Sequence, residues 1–210
     1  MSDDVRETNR AHWEALAAVH GQDGYYDAEA LIGGADSLGD HEDAAVREAV
    51  GEVTGLDVLH LQCHIGFDSI SLARRGARVT GADFSHCGRA GGSCSSEIHP
   101  LFNMIGEREP LLLDMPYAAD GPRRFEESGS YADQEADVAV PTEIVYAHSL
   151  GETVAAAIAA GLRIDALHEH LDTDFDPRGD VLAPEDDGRL SLRVSGERLP
   201  VLFTLLASRV

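Results

Sequence analysis

Two short pieces of the sequence carry groups suited to binding a nucleoside. The first is the turn Gln-Cys-His-Ile-Gly at residues 62–66, which a predicted helix follows directly. A turn that leads into a helix N-terminus presents N–H groups and positive dipole to an anion or a carboxylate. The second is Asp83, because an acidic residue at the end of the next strand can accept hydrogen bonds from both ribose hydroxyls.

The elements that must position these groups are a strand, a helix and a second strand. The apolar run at residues 58–61 is typical of a buried strand. Residues 78–84 are the second strand, with Asp83 near its carboxyl end. A parallel βαβ unit binds ligands at the carboxyl ends of its strands. The turn and Asp83 are therefore predicted to lie side by side.

The helix between these strands has predicted boundaries at both ends. Asp68 or Ser69 is expected to cap its N-terminus, because both side chains offer an oxygen to free N–H groups. Ile70, Leu72 and Ala73 supply its apolar side. Gly76 is expected to end it.

The string HLQCHIGFDSISLARRGARVTGADFS, residues 60–85, resembles the class I S-adenosylmethionine-dependent methyltransferases. It is most similar to the subgroup whose first strand runs into LQCHIG. In the common pattern of the family three glycines line this turn, whereas here Gln62 and His64 stand in place of the first two and only Gly66 remains.

The resemblance implies that the turn lies along the methionine part of S-adenosylmethionine, that Asp83 holds the ribose, and that Phe84 lies near the adenine. The residues predicted to bind this cofactor are Gln62, Cys63, His64, Gly66, Asp83 and Phe84. The alternative is a βαβ unit that binds nothing, in which Asp83 only closes a strand.

The resemblance also implies an α/β fold with a Rossmann-like sheet, mostly parallel and with an antiparallel last strand, in a single domain. Residues 1–55 are expected to form a helical cap and residues 56–85 the cofactor-binding βαβ unit. Residues 91–210 are the C-terminal half, with a lid inserted at 101–145.

One internal segment of such a fold is missing from the sequence. The resembled family continues through a third and a fourth strand before its fifth, but here Gly91-Gly92 and the strand ending in EIHPLF follow soon after Ser85. About two strand–helix units, roughly 60–70 residues, are therefore absent. The fourth strand lies between the first and the fifth in that family. These two strands must therefore re-pair or the sheet must open, since unpaired buried backbone groups are costly.

Aromatic and basic residues elsewhere are candidates for covering the site. A helix is predicted at residues 7–20, and in the resembled family this region folds over the cofactor, which makes Trp13, Tyr25 and Tyr26 lid candidates. Packing against the core is the alternative for all three.

Arg123 and Arg124 are candidates for binding a substrate carboxylate. Pairing with Glu126 and Glu127 is the simpler expectation for them.

A zinc site is the competing interpretation of the segment after Ser85. Its ligands would be His86, Cys87, Cys94 and His99. The spacing lacks the two-residue knuckle of zinc ribbons and fingers, so a Gly/Ser-rich loop is favoured and no metal is predicted. His168 and His170 alternate on a predicted strand without further ligands nearby.

The composition limits the classes of molecule that the protein is expected to bind. The chain has 38 acidic and 16 basic residues, a net charge of −22, and all its basic residues are arginine. Such a surface repels nucleic acids and anionic membranes, and it suits a cytoplasm rich in salt, where screening removes self-repulsion. No signal peptide or membrane span is predicted, and three cysteines indicate no disulfide framework. The expected location is the cytoplasm.

Two functions follow from the resemblance. The first is an S-adenosylmethionine-dependent methyltransferase that acts on a small-molecule acceptor. The second is an internally deleted, inactive relative that retains at most cofactor binding or an assembly role, and a second copy filling the missing strands would make it a homo-oligomer. No catalytic residue is predicted, because the sulfonium is already activated and the protein mainly aligns the reactants.

Overall fold

The structure is a computed structural model, and it divides the chain into two compact units. The first comprises Met1–Leu38, Glu52–Gly92 and Pro122–Val145, and the second comprises Gly39–Gly51, Ser93–Gly121 and Tyr146–Val210. The residues that the structure describes are 3–20, 26–83, 94–108, 111–113, 115–118, 121–126, 129–130, 133, 135–176 and 181–209.

The first unit contains three helices and four strands among its described residues. They are α1 (Asp3–Val19), α2 (Ala28–Ile32), β1 (Asp57–Leu61), α4 (Phe67–Arg74), β2 (Arg78–Ala82), β6 (Arg123–Glu126) and β7 (Thr142–Val145). β1 and β2 pair in parallel, whereas β6 and β7 pair antiparallel. The predicted strand–helix–strand crossover is therefore present.

Gly76 ends α4 as the sequence predicts. The N–H of Ala77 reaches the carbonyl of Leu72, the N–H of Gly76 reaches that of Ala73, and Gly76 has a φ of 94°. This is the Schellman arrangement, which needs a left-handed residue after the helix. The predicted N-cap is wrong, because α4 begins at Phe67 and its N-cap is Gly66, without a side-chain cap.

The first strand is less buried than its apolar run predicts. Leu59 is 36% exposed and Leu61 is 60% exposed, and they lie on the same face of β1. Among the described residues, β1 pairs only with β2. The prediction of a buried strand is therefore wrong for this face of β1, as expected when a neighbouring strand and its covering helix are missing.

The second unit contains the larger sheet. Its described helices and strands are α3 (Asp40–Val50), β3 (Cys94–Ile98), α5 (Pro100–Asn103), β4 (Ile105–Arg108), β5 (Leu111–Leu113), α6 (Leu150–Ala159), β8 (Leu162–His170), β9 (Ala183–Pro184), β10 (Leu190–Val194), β11 (Glu197–Leu199) and β12 (Leu202–Arg209). β12 lies between β3 and β8 and runs antiparallel to both.

The core of the second unit lies against β12. Residues 202–206 of this strand are all buried. The buried apolar cluster consists of Phe102, Ile105, Val181, Leu182, Leu192, Val201 and Leu202. Its side chains come from distant parts of the chain, so this cluster joins α5, β4, β10 and β12.

The predicted fold class is wrong. A mostly parallel Rossmann-like sheet was expected, but β1 and β2 form the single parallel pair within the described residues, and every other pairing there is antiparallel. Parallel neighbours need long crossover connections, usually through a helix. Residues 83–93, which separate β2 from β3, are too few for a further strand–helix unit of about 30 residues, and β1 and β3 lie in separate sheets.

Local predictions fare better in the C-terminal part. The spacing of Ser149 and Glu152, three residues apart ahead of an apolar run, predicts a capping box, and the structure has one: Ser149 caps α6, and its side chain and that of Glu152 form the box. The short apolar runs at residues 111–113 and 138–140 predict two short strands. β5 lies at the first of them, whereas residues 138–140 form no strand and β7 begins at Thr142 instead. α3, which the sequence assigned to the N-terminal cap, belongs to the second unit.

Candidate functional site

The turn between β1 and α4 has an unusual backbone. Gln62 and His64 have φ values of 53° and 50°, and Gly66 has a φ of 87°. These are the three positions at which the resembled family has glycine, and all three adopt the left-handed conformation that glycine favours. A non-glycine residue in this conformation costs roughly 1–2 kcal/mol, and strain of this kind concentrates at functional sites.

Asp83 lies directly beside this turn. Its Oδ2 accepts a hydrogen bond of 2.8 Å from the backbone N–H of His64. The carboxyl ends of β1 and β2 are thereby joined, and the N–H of Gln62 also bonds the carbonyl of Ala82 at 2.8 Å. The two pieces that the sequence singles out are thus brought together. A carboxylate offers about four acceptor sites, and the bond to the N–H of His64 uses one of them.

The residues predicted to cap α4 have other partners. Ser37 donates its hydroxyl proton to Oδ1 of Asp68 at 2.7 Å, and Ser69 Oγ lies 2.9 Å from Nδ1 of His60. Both side chains therefore hold neighbouring segments and leave the first N–H groups of α4 without a side-chain cap. This is the arrangement in which a helix N-terminus can receive an anionic group.

Aromatic rings surround the side chain of His64. Tyr26 stacks on it at a centroid distance of 5.4 Å and an interplanar angle of 26°, and Trp13 meets it edge-on at 6.2 Å. The sequence named both residues as lid candidates, and the structure brings both to the turn. Burial lowers the pKa of His64, and the carboxylates of Asp83 and Asp68 oppose this effect. His64 is therefore mostly neutral at pH 7.

A buried chain of hydrogen bonds connects His64 to two residues that the sequence analysis missed. His64 Nε2 lies 3.0 Å from Nδ1 of His20, and Nε2 of His20 lies 2.6 Å from Oγ of Ser130. His20 is 6% exposed and Ser130 is 5% exposed. His20 follows Trp13 at a helical spacing of seven residues, which is the one sequence signal that places them on the same face, whereas no local signal marks Ser130.

Helix α1 is held in place beside the site by two side chains. Asn9 exchanges two hydrogen bonds with the backbone of Ile144, at 2.7 and 2.8 Å, as a neighbouring strand would. Nδ1 of His12 lies 2.6 Å from the carbonyl oxygen of Val140. These bonds fix α1 to residues 140–144 of the first unit and so set the position of Trp13 and His20.

Four further predicted residues remain to be placed. Cys63 is a buried thiol within the turn, with its Sγ 4.0 Å from the carbonyl oxygen of His64, and Gln62 is exposed. Phe84 and the lid candidate Tyr25 lie outside the described residues.

Arg124 of the basic pair has the partner Glu126 that simple ion pairing predicts. Nε of Arg124 lies 3.1 Å from Glu126 Oε1, and its NH2 group lies 3.0 Å from Thr142 Oγ1. Arg123 occupies the neighbouring position of β6 and is exposed. Glu127 lies outside the described residues.

Of the four ligands of the competing zinc site, the structure describes the side chain of His99 alone. His99 is buried, lies 2.9 Å from Glu169 Oε1 through Nε2, and accepts a bond from the N–H of Leu101. His86 and Cys87, together with the side chain of Cys94, lie outside the described residues. Within the described part of the chain, no group of three or more His, Cys, Asp or Glu residues is arranged to hold a metal ion.

Comparisons with known proteins add no relatives. No protein-family model, curated protein or solved structure matches the chain. Among the helices in the described ranges, none has both the length and the apolar character needed to cross a membrane.

Proposed function

We propose that the first unit binds S-adenosylmethionine, or its product S-adenosylhomocysteine, at the carboxyl ends of β1 and β2. The observation that carries the proposal is the hydrogen bond between Asp83 and the backbone of His64. It sets a carboxylate next to a strained, left-handed turn at the start of a helix. A nucleoside linked to an amino acid needs both features within one short crossover.

Each part of the ligand has a complementary group in this proposal. The uncapped N-terminus of α4 receives the carboxylate of the methionine part. Asp83 accepts hydrogen bonds from the ribose hydroxyls. Trp13 and Tyr26, which contact the ring of His64, offer aromatic faces to the positively charged sulfonium, an attraction of about 0.5–2 kcal/mol.

Methyl transfer to a small-molecule acceptor is the second candidate function. Trp13 and Tyr26 favour it, because rings lying against the turn exclude water from a sulfonium that needs mainly alignment with its acceptor. Among the described residues, the sheet that contains β1 has no strand besides β2 to carry acceptor contacts. Cofactor binding is therefore the primary proposal, and transfer is tested after it.

Isothermal titration with S-adenosylhomocysteine in molar salt tests the primary proposal. Asp83→Asn keeps an oxygen that can accept from the N–H of His64 but weakens the bonds to ribose. The loss of a hydrogen bond to a charged group, about 1.5–3 kcal/mol, is expected to weaken binding by at least about tenfold.

Asp57→Asn is the matched control for this titration. Asp57 lies at the opposite end of β1, where its exposed carboxylate pairs with Arg78. Asp57→Asn makes the same chemical change as Asp83→Asn within the same crossover. The affinity of this variant for S-adenosylhomocysteine should stay within about twofold of that of the wild type. A folded wild-type protein that gives no heat and no thermal shift with either ligand contradicts the proposal.

Turnover separates the two candidates. Protein that binds the cofactor is incubated with S-adenosylmethionine and pools of small amines, phenols and carboxylic acids, and S-adenosylhomocysteine is quantified. Binding without product formation from any pool supports the binding function and contradicts transfer to these classes of acceptor.

A further inference from the structure

The contact between His20 and His64 limits how many protons the site can hold. The two facing nitrogens are 3.0 Å apart, so one hydrogen lies between them. A second hydrogen lies between His20 and Ser130, whose atoms are 2.6 Å apart. Two neutral rings satisfy both contacts in either direction of donation, because each neutral imidazole has one donor and one acceptor nitrogen.

One added proton leaves the chain of bonds intact, whereas a second breaks it. If His20 alone is charged, it donates to His64 through Nδ1 and to Ser130 through Nε2. If both rings are charged, every ring nitrogen carries a hydrogen. The facing nitrogens of His20 and His64 then hold two hydrogens and two positive charges at 3.0 Å, and the contact is lost.

The charged and titratable groups that the structure describes around the pair do not relieve this conflict. Asp83 accepts from the backbone N–H of His64, and Asp68 acts on His64 from α4. The described neighbours on the side of His20 include the phenol ring of Tyr26, at 5.6 Å, and Asp133, whose backbone bonds Ser130. Asp83 and Asp68 favour the charged form of His64, but this does not remove the second hydrogen from between the facing nitrogens.

We propose that His20 is a positioning residue that holds His64 and its left-handed turn, and that the site releases its ligand when both rings become protonated. The identity of the ligand rests on the proposed function. The restriction to one hydrogen between the facing nitrogens of His20 and His64, which is the proton-limited contact, does not, since it follows from the geometry of the two rings alone. Displacement of His64 also affects Asp83, because the backbone N–H of His64 donates the hydrogen bond to that carboxylate.

Titration with S-adenosylhomocysteine at a series of pH values from 8 down to 5 tests the release. Wild-type affinity is expected to fall several-fold, with the loss at the acidic end of this range, because burial lowers the pKa of His64 and the contact opposes the second proton. His20→Asn keeps a polar atom at the position of Nδ1 but cannot be protonated, so its affinity should be a few-fold weaker at pH 8 and nearly independent of pH.

His148→Asn is the control. His148 is an exposed histidine that the proposed site does not use, so this variant removes one titratable ring without touching α1 or the turn. It should retain the pH dependence of the wild type. Persistence of the wild-type pH dependence in His20→Asn, or its loss in His148→Asn, overturns the proposal.

Histidine NMR without ligand separates this proposal from the proposed function. Nitrogen shifts of the two rings are expected to titrate in two separate steps in the wild type and in one step for His64 in His20→Asn. Two independent titrations at ordinary values overturn the proton-limited contact. Absence of ligand binding at pH 8, with the two-step titration present, overturns only the ligand assignment.

Discussion

The backbone N–H of His64 donates a hydrogen bond to Oδ2 of Asp83 over 2.8 Å, across 19 positions of the sequence. His64 is held in the left-handed conformation at a φ of 50°. A strained residue persists only where its surroundings fix it. The carboxylate of Asp83 is one such restraint, and it couples the geometry of the turn to the end of β2.

Replacing Asp83 with alanine should destabilise the first unit. The N–H of His64 would lose its acceptor in a half-buried position, which costs about 1–3 kcal/mol. Asp83→Asn retains an acceptor oxygen and should lose less than about 1 kcal/mol. Urea unfolding of both variants in molar salt measures the difference, and equal stabilities of the two would show that the bond does not restrain the turn.

The two left-handed glycines that flank α4 should differ in their tolerance of alanine. A Cβ on Gly66 meets no atom within 4 Å, so Gly66→Ala carries mainly the backbone cost of about 1 kcal/mol. A Cβ on Gly76 would lie 3.1 Å from Cγ2 of Thr54, so Gly76→Ala adds steric conflict to a similar backbone cost. Thermal unfolding should rank Gly76→Ala below Gly66→Ala, and the reverse order would contradict the described packing of α4.

Strand β1 should tolerate polar residues on its exposed face. Leu61 is 60% exposed, so Leu61→Thr should change the free energy of unfolding by less than about 0.5 kcal/mol. Leu72, buried on α4, is the comparison, and Leu72→Ala should cost about 2–5 kcal/mol. A large loss in Leu61→Thr would mean that another layer covers β1, as a mostly parallel sheet requires.

The features that the sequence predicts correctly are mostly local. The capping box of Ser149 and Glu152 spans three residues, and the left-handed end of α4 depends on Gly76 and its immediate neighbours. Such signals lie in the sequence itself. The pairing of β1 with β2 follows for the same reason, since one short crossover connects them.

The features that it misses depend on partners far along the chain. Asp68 does not cap α4, because Ser37, 31 positions away, donates to its carboxylate. Ser130 meets His20 from 110 positions away. The sheet was predicted by analogy with proteins that contain the missing strands, and strand pairing depends on which edges are available. A sequence that lacks those strands gives no direct signal of how the remaining edges pair.

Stability should rise steeply with salt at low ionic strength. With a net charge of −22, acidic groups repel one another throughout the chain, and screening shortens the range of that repulsion from about 30 Å at 0.01 M to about 10 Å at 0.1 M salt. The unfolding temperature is therefore expected to increase by several degrees between 0.01 and 0.5 M sodium chloride. At these concentrations effects from salt exclusion are small, so a flat profile would contradict adaptation of the surface to salt.

The second unit should lose stability in mild acid because of His170. This side chain bonds Thr204 Oγ1 at 3.1 Å and stacks on His41 at 3.8 Å. Burial, followed by electrostatic repulsion from the neighbouring rings of His41 and His168, lowers the pKa of His170 from 6.5 to about 4, and Asp172 opposes the shift.

The direction of the effect follows from which state binds the proton first. The unfolded chain protonates His170 near its ordinary value, whereas the folded chain resists until about pH 4. The stability that the neutral ring of His170 contributes is therefore complete above pH 6.5 and is lost as the pH falls from 6.5 to 4. After allowance for solvent screening of this half-buried ring, the loss should be about 1 kcal/mol.

His170→Gln, which keeps a polar atom near Thr204, should flatten this part of the stability profile, whereas replacement of the exposed His148 by asparagine should leave it unchanged. An unchanged slope in His170→Gln would show that other groups produce the acid sensitivity.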